Sequence, residues 1–125
     1  MVDQPPDLSR CANDDVIATD VSRSGENITR MVNIYDERNG QSGERLAQKM
    51  NWQRVIWQGA TVLAGDFNPH SRRWDLRCRG QRNAAPWEEV IDENVLEIGN
   101  DGQSTHHWTR EGHEGKSVID LTLAN

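Results

Sequence analysis

The feature that most narrows the folds open to this chain is a short apolar run that stops abruptly in a turn. Thr61-Val62-Leu63-Ala64 follows Gly59 and ends at Gly65-Asp66-Phe67-Asn68-Pro69. Such a run is long enough for a strand buried on both faces and too short for a helix. Gly, Asp, Asn and Pro then break it, each by its own turn chemistry. A buried strand must have neighbours in a sheet and a layer packed over it, so the run places the chain among layered domains of strands and helices. It also puts a carboxylate and an amide, two residues apart, at the end of that strand.

The flanking sequence supplies the neighbours. Val16 to Val21 and Ile28 to Tyr35 are β-branched and partly alternating, and the turn-prone Ser22 to Asn27 separates them. They read as an antiparallel hairpin. Gly43 to Gln58 is patterned as a helix, with Leu46, Met50, Val55 and Trp57 among Glu44, Arg45, Gln48 and Lys49. Pro86 to Asn94 opens with Pro and then acidic residues, which suit a helix N-terminus. Leu96 to Ile98 reads as a brief strand, Asn100 to Lys116 as a polar loop, and Ser117 to Ala124 alternates as a strand. The order ββαβαββ predicts an α+β domain, an α/β sandwich with mostly antiparallel sheet and flanking helices, over residues 16–125. Residues 1–15, rich in Pro, Asp and Asn, read as a mobile arm.

Bulk properties limit the function classes. A formal charge of −6 opposes a broad grip on phosphates, so contact with nucleic acid has to be local. No apolar run approaches the roughly 20 residues that cross a bilayer, and the N-terminus has no apolar core of a secretory signal. The expectation is an intracellular protein, nuclear or cytoplasmic, without a membrane partner. Cys11 and Cys78 form no CxxC pair and read as reduced thiols. Asn27-Ile28-Thr29 then matches the glycosylation sequon by chance. His70, His106, His107 and His113 with Cys78 fit no zinc spacing and read as polar surface groups, with His70 kept as a neighbour of the Asp66 turn.

Asp66 and Asn68 are the candidate chemistry. A carboxylate can hold or deprotonate an attacking water, and an amide can donate to a phosphate oxygen or bind a hard cation through its own oxygen. Arg72, Arg73, Arg77, Arg79 and Arg82 follow closely and would meet a DNA backbone or, in the plainer reading, pair with the acidic helix at Pro86 to Asn94. The five tryptophans, Trp52, Trp57, Trp74, Trp87 and Trp108, read mainly as core, or else as the lining of an interface.

Leu63-Ala64-Gly65-Asp66-Phe67-Asn68-Pro69-His70, with Trp74 beyond, resembles the GDFN signature of the endonuclease/exonuclease/phosphatase family, the DNase I-like and apurinic-endonuclease-like nucleases. The extension through His70 and Trp74 is similar to the branch that non-LTR retrotransposons join to a reverse transcriptase. Val32-Asn33-Ile34-Tyr35 resembles the family strand whose Tyr reaches the scissile phosphate. Ser117-Val118-Ile119-Asp120-Leu121-Thr122-Leu123 resembles the strand whose Asp orients a catalytic His, and Ser104-Thr105-His106-His107-Trp108 sits where the family has a Pro-Thr-aromatic stretch. The matches run in the family's order over about residues 16 to 125.

The resemblance implies a partial DNase I-like fold and a hydrolase acting on DNA with Mg²⁺ or Mn²⁺. Asp66 would activate water, Asn68 would hold phosphate or metal, and both would be metal ligands. Tyr35 and Thr105 would support the phosphate, Asp120 would orient the His, and His70, Arg72 and Arg73 would meet substrate. The chain departs from the family at both ends. No strand before Val16 carries the metal-binding Glu, and Glu26, Glu37 and Glu44 stand on the wrong side of the Tyr35 strand. Nothing after the Asp120 strand supplies the catalytic His. The expectation is a truncated domain, weak or inactive alone, that closes its exposed sheet edges in a homodimer. The competing expectation is a catalytically dead, domesticated fragment that works by self-association or by binding a partner.

Overall fold

A computed structural model describes residues 4–7, 15–36, 45–78 and 84–125. Cys11, Glu37, Gly43, Glu44, Arg79, Arg82 and most of the expected arm lie outside them. Seven strands and three helices are present among the described residues: β1 (Val16–Val21), β2 (Thr29–Tyr35), α1 (Leu46–Lys49), α2 (Trp52–Val55), β3 (Thr61–Asp66), α3 (Ala85–Glu93), β4 (Glu97–Ile98), β5 (His106–Arg110), β6 (His113–Ser117) and β7 (Asp120–Ala124). The main sheet runs β1-β2-β3-β7-β4, and β5-β6 form a separate two-stranded ribbon. Only β2 and β3 pair in parallel. The architecture is the mixed, sheet-dominated one expected from the strand patterns.

Burial alternates along the strands because successive side chains leave opposite faces. On β2, Arg30, Val32 and Ile34 face inward and Met31, Asn33 and Tyr35 face outward. Leu63 on β3 and Leu121 and Leu123 on β7 continue the inner face, where they form one core with Trp52, Val55, Trp87, Val90 and Ile91 of the helices. Trp87 is fully buried, with Phe67 edge-on to it at 4.7 Å and Trp52 tilted against it at 5.1 Å. Trp52, Trp74 and Trp87 are therefore core, Trp57 is half-buried, and only Trp108 is exposed.

The inner face also holds a charge. Arg30 is buried, and its guanidinium meets Asp20 at 2.8 and 3.0 Å, the Pro6 carbonyl at 2.6 Å and two carbonyls of α2 at 3.5 Å. A buried guanidinium is tolerable only when its donors are met in this way. The bond from Arg30 to the Pro6 carbonyl, with one from Arg54 to the Asp7 carbonyl, ties residues 4–7 to the domain.

Two expectations need correcting. The single helix over Gly43 to Gln58 is two short ones, because Met50 and Asn51 leave the helical region and the Asn51 carboxamide accepts the Arg54 N–H, capping α2 afresh. The polar loop over Asn100 to Lys116 is mostly the β5-β6 hairpin, closed by Glu111 and Gly112, both at positive φ. That leaves β7 to begin at Asp120 instead of Ser117. Among the described residues no helix is long and apolar enough to cross a membrane. Cys78 carries a free thiol.

Candidate functional site

The end of β3 is shaped residue by residue. Gly65 sits at φ 141°, and a Cβ there would lie 2.0 Å from the Ile34 carbonyl oxygen, so only glycine lets β2 and β3 run this close. Phe67 turns its ring into the core and its N–H to the Ile119 carbonyl at 2.8 Å. Asn68 occupies the left-handed region that Asn tolerates, and its N–H bonds the Asp66 carboxylate at 3.0 Å. Its side-chain amide donates to the Asp36 carbonyl. That bond uses the nitrogen end of the amide and leaves the oxygen end for the cleft that Asn68 lines.

Sheet register then builds the site. Asp66 pairs with Tyr35 on one side and with Asp120 on the other, so the three stand in one row across β2, β3 and β7. Paired residues share a face, and adjacent strands lie about 4.8 Å apart. The row is on the face away from the helices, where Tyr35 is 51% exposed. Thr105 fixes one end of it, since its hydroxyl accepts the N–H groups of Ile119 and Asp120, each at 3.1 Å.

The surroundings of Asp66 disfavour its charge. Burial pushes its carboxyl above the ordinary 3.8; the Asn68 N–H works the other way, Asp120 adds to the rise, and His106 opposes it. Behind the row, Asp36 accepts the Trp87 indole N–H at 2.8 Å while its own N–H bonds the Asp66 carbonyl. Burial raises the Asp36 carboxyl as well, against the pull of that indole bond.

A cleft of about 800 Å³ opens over Asp66 and Asn68 toward the β5-β6 hairpin. His70 lines it, as do Arg77, His106, Trp108, Arg110 and Lys116. Arg72 and Arg73, expected to meet substrate, are not among its walls. Arg73 pairs with Asp92 at 2.9 Å and reaches the Glu88 carbonyl, both on α3, and Arg72 bonds the Cys78 carbonyl. This is the pairing with the acidic helix that the sequence left as the plainer alternative. Arg77 takes their place beside buried Asp75, whose carboxylate accepts the Arg77 backbone and side chain and the Val118 N–H. Burial alone would raise the Asp75 carboxyl, yet these donors together hold it below the ordinary range.

Sequence reasoning named Arg77 only as one of five arginines that would meet DNA, and it missed His106, Trp108, Arg110 and Lys116 as walls of the site, because the hairpin that carries them was read as a loop. The one available signal was Glu111-Gly112 between residues with strand propensity. The Asp66 carboxylate and the Asn68 amide oxygen, expected as metal ligands, are hard oxygen donors of the kind Mg²⁺ or Mn²⁺ takes. Among the described residues no group of three or more His, Cys, Asp or Glu side chains is arranged to hold an ion.

A family model described as endonuclease-reverse transcriptase matches residues 29–125. Among solved structures, the endonuclease domain of TRAS1, a telomere-specific non-LTR retrotransposon, is similar with a TM-score of 0.70 at 17% identity, over 91% of this chain and 52% of that one. An endonuclease/exonuclease/phosphatase family protein from Leptotrichia buccalis aligns at a TM-score of 0.47 and 16% identity, over 88% of this chain and 42% of that one. No curated protein matches the chain. The chain thus spans about half the length of the TRAS1 domain, whose DNase I-like fold it shares over that part.

Proposed function

The chain belongs to the endonuclease-reverse transcriptase family, and from this we propose that it carries one half of a DNA-nicking site of the retrotransposon type. The observation that carries the reading is the row Tyr35, Asp66, Asp120, of which Asp66, with Asn68 beside it, lines the cleft. In this reading Asp66 takes a proton from the attacking water, for which its raised pKa suits it. The Asn68 oxygen and Asp66 hold the cation, and Tyr35 donates to the phosphate. Asp120 is the residue that would orient the catalytic His of such a site, with Thr105 holding its backbone in place. A divalent cation in this set supplies stabilisation of charge developing on the phosphate. His70 and Arg77 meet the DNA backbone from the cleft wall.

The chain alone is expected to bind DNA in a metal-stimulated way and to nick it little. Supercoiled plasmid incubated with Mg²⁺ or Mn²⁺ should stay at background nicking. Fluorescence anisotropy with a labelled duplex should show Mn²⁺-stimulated binding that Asp66→Ala removes. DNA binding indifferent to both Mn²⁺ and Asp66 would overturn the reading, and robust nicking abolished by Asp66→Ala would show that the half-site is already a complete catalyst. A domesticated binding module is the second reading, favoured by the exposed Ile17, Met31 and Tyr35 on the open sheet face.

A further inference from the structure

The β5-β6 hairpin has two unlike faces. Across the ribbon His106 pairs with Ser117, Trp108 with Gly115 and Arg110 with His113, and directly opposed residues share a face. That face therefore carries an indole, two imidazoles and a guanidinium and no carboxylate, while Glu114 is on the other with Thr109. His106, Trp108 and Arg110 line the cleft that holds Asp66, and Lys116, which pairs with His107 on the other ribbon face, lines it too. Among the described residues neither Arg110 nor Lys116 makes an ion pair. An acid-free ribbon face that bears Arg110 thus lines the candidate site, and Lys116 lines it from the other ribbon face, in a chain of net charge −6.

Trp108 is the unusual member. It is the one tryptophan left exposed, at 44%. A Cβ added to Gly115 would fall 2.0 Å from its ring, so the indole lies flat on a place that only glycine leaves empty. The ring covers Gly115, and Trp108 is part of the cleft wall. A large aromatic surface held in place by its own hairpin, with a guanidinium on the same face, is the arrangement that stacks a base and meets an adjoining phosphate. A duplex offers only base edges in its grooves, whereas a flat ring needs a base face, which an unpaired nucleotide presents.

We propose that Trp108, seated on Gly115, is a stacking platform for one unpaired nucleobase, with Arg110 on the same ribbon face meeting a flanking phosphate. This rests on the phosphodiester reading of the Asp66 site, and it makes Trp108 a specificity-determining residue for strands with an unpaired base at that position.

The test is anisotropy of the full chain with labelled oligonucleotides in Mn²⁺: a duplex with one unpaired base, the same duplex with an abasic nucleotide there, and a fully paired control. Wild type should bind the unpaired base about 10-fold or more tighter than the abasic strand. Trp108→Ala and Gly115→Ala, the second displacing the indole without deleting it, should each abolish that difference, while Trp108→Phe keeps most of it. Asp66→Ala should lower all three affinities together and leave the ratio intact. Equal affinity of wild type for base and abasic strands, or a ratio that survives Trp108→Ala, overturns the platform while the Asp66 reading stands. Failure of wild type to bind any of the three overturns both.

Discussion

At the scale of single residues, the most demanding position is Gly65. Adding a methyl there drives a carbon into the Ile34 carbonyl on the partner strand, and neither backbone can move without breaking the parallel pairing. Gly65→Ala is expected to cost about 4 kcal/mol or more, read as loss of the cooperative thermal transition. Asp75 is almost as constrained. Its carboxylate satisfies the buried Val118 N–H and two donors of Arg77. Asp75→Ala strands that N–H and should lower stability by about 2–3 kcal/mol in urea unfolding.

The acids also set the pH dependence. The Asp36 carboxyl lies above its ordinary 3.8 through burial, against the Trp87 bond, so the native state prefers it protonated. As pH rises from 3.8 through the raised value, the unfolded chain ionises first and native stability falls. Asp75 has the opposite sign: its lowered carboxyl stabilises the fold above 3.8, and that stability is lost as pH falls through its native value. Asp36→Asn keeps an acceptor for the Trp87 indole and removes the penalty. It should melt higher than wild type at pH 7, with the gain vanishing below 3.8; an equal gain at both pH values would show that ionisation is not its source.

At the scale of elements, the hairpin is the least anchored part. Its strands are mostly exposed, its turn places Glu111 at φ 50° and Gly112 at φ 78°, and Thr105 ties it to β7. Asn accepts positive φ at less cost than Glu, so Glu111→Asn should stabilise the ribbon by about 0.5–1 kcal/mol. Slower hydrogen exchange at the amides of β5 and β6, with those of β2 and β3 unchanged, is the expected signature. A uniform change across both sheets would mean that the hairpin does not open independently.

At the scale of the whole molecule, among the described residues the inner face of the main sheet is sealed by helices and the outer face is uncovered, with β1 and β4 at its edges. Unpaired strand edges invite another chain. Light scattering across a concentration series should show the mass rising toward that of a dimer, the expected mode being edge pairing. A monomer mass at all concentrations would remove self-association from the account and leave the open face to another partner.

The sequence by itself determined the strands β1, β2, β3 and β7, the helix α3 and the chemistry of the Asp66 turn. These depend on local matters: β-branched runs, a Pro in the first helical turn, and a glycine where a strand must stop. Gly65 through Asn68 could be read directly because each residue there meets a constraint within a few positions of itself. The hairpin could not be read so, since a ribbon with both faces largely open needs no apolar alternation to announce it. The break at Asn51 was visible only as one more polar residue in a helical pattern. Only the tertiary structure aligned Tyr35, Asp66 and Asp120, because strand register between residues so far apart is set by packing of the inner faces, and no local preference encodes it. The same packing turned Arg73 to α3, brought Arg77 and the hairpin cations over the site, and left one tryptophan of five facing the cleft.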